Sequence, residues 1–177
     1  THPSIAVDVV IDQSASLTKR MEERHLDITL LTCQMSNMPK GGELLLTEDL
    51  VWAGAKGGTA HLRTPLPVSM WEEGCAWRSG SVEALNERGI AYRIAYMSAH
   101  TAGQRAAILS DLAIAPLPCS FVGDDLVALG EDDGLPPIGT YSLGMMVRPD
   151  ADAPVCAAAD DIRATFDAFA QTGQLRD

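Results

Sequence analysis

Aromatic residues are scarce, at 5% of the chain, and basic ones are outnumbered, with thirteen Lys plus Arg against twenty-four Asp plus Glu and a net charge of -11. That balance opposes the phosphate attraction behind non-specific nucleic-acid affinity, so this stretch is not expected to bind DNA by itself. No apolar run reaches the roughly eighteen residues of a membrane span, and Thr1-His2-Pro3-Ser4 lacks the charged-then-apolar pattern of an export signal. There is no initiator Met, and the chain reads as a fragment starting in mid-pattern. Cys33, Cys75, Cys119 and Cys156 form no CxxC pair, which excludes a dense disulfide framework and fits thiols in a reducing compartment, the cytoplasm. GxSxG, P-loop, HExxH and GxGxxG motifs are lacking and the four His are scattered, so no catalytic residue, metal or cofactor is expected.

What is present is a chain of 177 residues, 46% hydrophobic, enough to bury a core in one or two compact lobes. Ile5 to Ile11 (IAVDVVI) is β-branched and nearly continuously apolar, the pattern of a buried strand. A short helix follows, capped by Ser14 or Ser16 and amphipathic through Leu17 and Met21. Leu26 to Leu31 reads as a second strand, then Leu44 to Leu46 and Leu50 to Ala55 as two more before the Gly57-Gly58 break. Beyond it come a strand at Leu66 to Met70, a helix at Gly80 to Arg88, a strand at Tyr92 to Met97, a helix at Ala102 to Leu112 and a strand at Ala113 to Leu117. After the acidic turn Gly130 to Gly134, a strand at Tyr141 to Val147 leads to a helix striped by Ile162, Phe166 and Phe169; from Gly173 the chain looks frayed. The alternation predicts an α/β fold of two Rossmann-like lobes, about 1–50 with 139–177 and about 51–138, with a ligand cleft between them.

The order of His2-Pro3, IAVDVVI, a short helix, ERHLDITLL, DLVWAGAKG and AAILSDLAIAPLP resembles the LysR-type regulatory domain, from Thr1 to about Phe169. WRSGSVEALNERGIAYRIAYMS followed by AGQRAAI is similar to regulators related to motility and virulence repressors. The resemblance implies a type 2 periplasmic-binding-protein-like fold whose first strand and helix, like the winged helix-turn-helix, precede Thr1. Without that strand a central sheet position is left empty. It further implies a small-molecule effector, with an anionic one among the candidates, DNA contact only through the winged helix-turn-helix, and a homodimer or homotetramer. The sequence departs from the family pattern at Ser110-Asp111-Leu112-Ala113, where most members carry Gly-Leu-Gly, and this puts the backbone turn there in question.

The resemblance also points to effector contacts. Ser14, after the first strand, offers a hydroxyl either to a ligand or to the helix as a cap. Thr32, with Cys33 and Gln34 beside it, ends the LDITLL strand at the sheet edge where related proteins place a polar contact. Trp77, Arg78 and Ser79 stand at the start of the 80–88 helix, where free amides and the guanidinium fork suit a carboxylate; alternatively Arg78 is a surface residue and Trp77 a lid on the core. Ser98 and His100 follow the Tyr92 to Met97 strand, and His100 reads equally as a solvent-facing turn residue. Peroxide-sensing members use a cysteine near Cys75, but no second cysteine follows in the next helix, which argues against a local disulfide switch. The competing class is a solute-binding protein of a transport system, distinguished by a signal peptide upstream.

Overall fold

The computed structural model describes residues 5–33 and 37–172. The chain forms two compact units, one of Glu48–Tyr141 and one built from the segments up to Thr47 and from Ser142 onward. The crossing points lie within two long strands, β2 (Glu43–Ala55) and β7 (Thr140–Val147).

In the unit built from both ends, β1 (Ile28–Cys33) pairs antiparallel with β7, Ile28 opposite Val147 through Cys33 opposite Ser142. β7 in turn lies between β1 and β2. Helix α1 (Ser14–Glu22) buries Met21, and α4 (Ala153–Thr172) buries Ala159 and half-buries Ile162, Phe166 and Phe169. Arg163 of α4 ties back to the start of β2 through Glu43 at 2.6 Å. The β1–β7 pair is antiparallel, whereas the alternation of strand, helix and strand predicts a parallel sheet.

Ile5 to Ile11 is not a strand: its backbone is irregular, and Val7, Val9 and Ile11 are 70, 78 and 86% exposed. A strand persists through a ladder to a neighbour. Among the described residues β1 pairs only with β7, and a cavity of about 910 Å³ lined by 5–10 and by Ile28, Leu30, Val155 and Ile162 lies along it. An apolar segment with no ladder partner has nothing to order it, whatever its β propensity.

In the second unit, Leu50–Ala53 of β2 pair antiparallel with β5 (Ala115–Pro118), and Trp52–Ala55 with β6 (Leu126–Leu129). β3 (Leu66–Met70) runs parallel to β4 (Tyr92–Met97), and Val68 bridges in parallel to Ile114. A bulge places Ala95 between the pairs Val68–Ile94 and Ser69–Tyr96 and so re-aims the end of β4. Helices α2 (Ala76–Glu87) and α3 (Thr101–Leu109) complete the unit. Trp52, Val68, Met70, Leu85 and Ile114 are buried in one core cluster, and Trp71, Trp77, Ile108, Leu117 and Tyr141 in another.

Two expectations change here. The stretches at 44–46 and 50–55 are one thirteen-residue strand, since Thr47-Glu48-Asp49 continues extended from one unit into the next. Helix α2 starts at Ala76, four residues before Gly80, so that Gly80 lies inside it beside the Ile138 carbonyl rather than at its start.

Three helices end alike, with a residue in the left-handed region and paired 6→1 and 5→2 bonds. After α2 it is Gly89 (φ +66°), with Ile90 N donating to Leu85 O and Gly89 N to Asn86 O. After α3 the same bonds run from Leu112 to Ala107 and from Asp111 to Ile108, with Asp111 at φ +52°. After α1 the residue is Arg24 (φ +60°). The turn questioned at Ser110-Asp111-Leu112-Ala113 is therefore made without glycine. The Asp111 side chain accepts from the amides of Thr59 and Ala60, the Thr59 hydroxyl and the Arg63 guanidinium at 2.6–3.1 Å. Burial alone would raise its pKa; these donors outweigh it and hold the carboxyl below the usual range.

Candidate functional site

In a parallel strand pair, the carboxyl ends and the following helix N-termini gather free backbone donors at one edge, the usual ligand position in α/β folds. β3 and β4 form such a pair. Met70 leads through Trp71 to α2, and Met97 leads through Ser98 and His100 to α3.

Arg78, in the first turn of α2, spans both strand ends. Its Nη1 donates to Trp71 O at 3.0 Å and lies 3.6 Å from Met97 Sδ, with only 18% of the side chain exposed. Its Nη2 is 3.5 Å from the carboxylate of Glu73, which is 91% exposed. Trp77 is buried, edge-on to Trp71 at 4.8 Å and to Tyr141 at 5.1 Å, and among the described residues its Nε1 has no hydrogen-bond partner. Ser79 is exposed and bonds the Cys75 carbonyl. Cys75 is the N-cap of α2, with no side-chain bond to the helix.

Ser98 and His100 interlock, with His100 N donating to Ser98 Oγ at 3.1 Å and the Ser98 hydroxyl donating to His100 O at 3.3 Å. His100 is the exposed N-cap of α3. A Cβ at Gly103 would sit 2.5 Å from the Ser98 hydroxyl, so only glycine lets this loop lie against the helix. Beneath it Gln104, fully buried, donates to Met70 O at 2.9 Å and to Ser98 O at 2.7 Å and accepts from Ser69 Oγ. Neither Gly103 nor Gln104 stands out in the sequence, because a single Gly or Gln in an amphipathic helix carries no periodic signal.

Tyr141 donates from its hydroxyl to Glu48 at 3.1 Å, and Glu48 also accepts from Ser120 N. Burial first, then the adjacent carboxylate, pushes the phenol well above its ordinary pKa, so it stays protonated.

In the other unit the structure brings Ser14 and Thr32 together: Ser14 Oγ accepts from Thr32 N at 3.2 Å and lies 3.3 Å from Thr32 Oγ1. The N-cap of α1 is Gln13, without a side-chain cap bond, and Ser16 donates to Asp12, so neither serine caps the helix. Gln34 lies outside the described residues. Burial raises the Cys33 thiol pKa above its ordinary value. Among the described residues no group of His, Cys, Asp or Glu is arranged to hold a metal ion, and no helix is long and apolar enough to cross a membrane.

The family model for the LysR substrate binding domain matches residues 1–164. The chain belongs to this family. Among curated relatives, the HTH-type transcriptional regulator DgdR of Burkholderia cepacia is 28% identical over 171 residues, which cover 93% of this chain and 56% of DgdR. This LysR-family chain thus spans about half the length of that relative. Of solved structures, the apo regulatory domain of HypT from Salmonella typhimurium aligns with TM-score 0.78 at 12% identity, over 95% of this chain and 86% of that one. The regulatory domain of CcmR from Synechocystis PCC6803, in complex with 2-PG, aligns with TM-score 0.67 at 16% identity, over 92% of this chain and 84% of that one. At these identities the structures fix the fold, which is the type 2 periplasmic-binding-like one of LysR regulatory domains. The family sets aside the transport alternative.

Proposed function

We propose that this LysR-type domain senses a small anionic effector at the carboxyl ends of β3 and β4, and that the full-length protein passes the result to DNA. The observation that carries the reading is Arg78: a mostly buried guanidinium at a helix N-terminus, joining both strand ends, whose counterion is a solvent-exposed carboxylate at 3.5 Å. A ligand carboxylate can take the place of Glu73 and gain the fork geometry and first-turn amides of α2. Trp77, Ser79, Ser98 and His100 complete the contacts on this unit.

The response is an equilibrium between two states for which the effector has different affinity. DNA contact belongs to a helix-turn-helix segment of the longer protein, as the name of DgdR suggests by analogy. The reading makes the protein a cytoplasmic regulator with no catalysis of its own. A second copy of the chain covers β4, an edge strand exposing Ile94, Tyr96 and Met97 at 43, 40 and 57%. Light scattering of the intact protein should therefore read a dimer or tetramer, and a monomer at all concentrations would refute that part.

The test is thermal unfolding of the full-length protein against small carboxylates, amino acids and aromatic metabolites. A ligand at about 100 times its Kd contributes roughly 2.7 kcal/mol, or about 5–10 °C for a domain of this size. Arg78→Ala is expected to abolish the shift while leaving the circular dichroism of the free protein unchanged, and Glu73→Gln to enlarge it. A shift that survives Arg78→Ala removes Arg78 from the site.

A further inference from the structure

Gln104 is a full-length amide buried completely in the first half of α3. An apolar residue would pack there at less desolvation cost, since a buried amide is tolerated only when its donors and acceptor are matched. Here both Nε2 donors are used on two carbonyls, Met70 O and Ser98 O, and Oε1 accepts from Ser69. Met70 O also accepts from Ser98 N at 3.1 Å. The four bonds close a knot between the last residues of β3 and the first residue after β4, just past the bulge where regular pairing is interrupted.

From α2, Arg78 joins the same two strand ends through Trp71 O and Met97. We infer that Gln104 is a positioning residue: it holds the Ser98–His100 loop in the geometry that receives a ligand, so that the site is ordered before the ligand arrives. The inference rests on the proposed effector site at these strand ends. It differs from a packing role in that its effect is confined to one loop and depends on hydrogen-bond donors rather than on volume.

Hydrogen exchange with mass spectrometry on the intact protein tests it without any ligand. Gln104→Leu keeps the volume and removes both donors; it is expected to speed exchange of residues 97–103 at least tenfold while leaving exchange of β2 and β5 unchanged. Gln104→Glu gives a second reading in case the leucine variant unfolds. Ionised, this buried side chain offers no donor to the two carbonyls; protonated, it offers one. Exchange of the same segment, normalised to wild type at each pH, should therefore be fast at pH 8 and return toward wild type at pH 5. Equal exchange in wild type and both variants overturns the inference, as does loss of protection throughout the unit in both. If the loop responds as expected and yet no carboxylate in the thermal screen binds, Gln104's hold on the loop stands, while the effector reading fails and takes the ligand-receiving role with it.

Discussion

Replacing Trp52 by Ala should cost about 3–5 kcal/mol, a large fraction of the stability of an ordinary protein. Trp52 is 1% exposed in the last third of β2, where that strand is paired with both β5 and β6. Its ring packs in the cluster of Val68, Met70, Leu85 and Ile114, so truncation opens a void that several strands would have to collapse to fill. The indole also donates from Nε1 to Pro136 O at 2.9 Å, and deletion leaves that buried carbonyl unpaired. Trp52→Phe separates the two contributions: it keeps most of the volume, loses the bond, and should cost about 1–2 kcal/mol. Urea unfolding followed by far-ultraviolet circular dichroism reads both. A cost under 1 kcal/mol for the alanine variant would mean that β2 is not the centre of this core.

Asp111→Ala is expected to cost about 2–3 kcal/mol, a large effect for a position near the surface. Two causes add. Alanine is strained at φ +52°, and the Thr59 and Ala60 amides and Arg63 lose their shared acceptor. Asp111→Gly avoids the first cause and suffers only the second, so the order of stability should be wild type, then Gly, then Ala. Because the carboxyl is held below its ordinary pKa, its contribution is present above the unfolded value near 4 and is lost as pH falls through the folded value. The deficit of the alanine variant relative to wild type should therefore shrink as pH drops below about 4. A glycine variant as stable as wild type would show that the carboxylate clamp contributes no more than the backbone strain that glycine relieves.

Asp111 also shows what was legible in the chain. The family's Gly-Leu-Gly turn is replaced, and sequence alone could only question the turn; its repair lies in Thr59, Ala60 and Arg63, about fifty residues away, which no local pattern connects. β3, β4, α1 and β7 were legible because period and punctuation agree there. Ile5 to Ile11 misled because β-branched composition measures fitness for a sheet, whereas the strand needs a neighbour that none of the described residues provides. The merging of two short strands into β2 was hidden by Thr47-Glu48-Asp49, whose polarity suggests a loop although the backbone stays extended across the crossing between units. At the candidate site, the positions of Arg78, Ser98 and His100 after strands were readable from the sequence, and their role is part of the proposal. The knot made by Gln104 could not, since it depends on a contact between three elements.

The measurement that bears most directly on effector sensing is hydrogen exchange of the full-length protein with the first carboxylate that raises its melting temperature. Protection is predicted at residues 71–79 and 97–101, where Arg78 joins the two strand ends, and it should vanish in Arg78→Ala. Protection elsewhere with these two segments unchanged would contradict the assignment of the effector to β3 and β4.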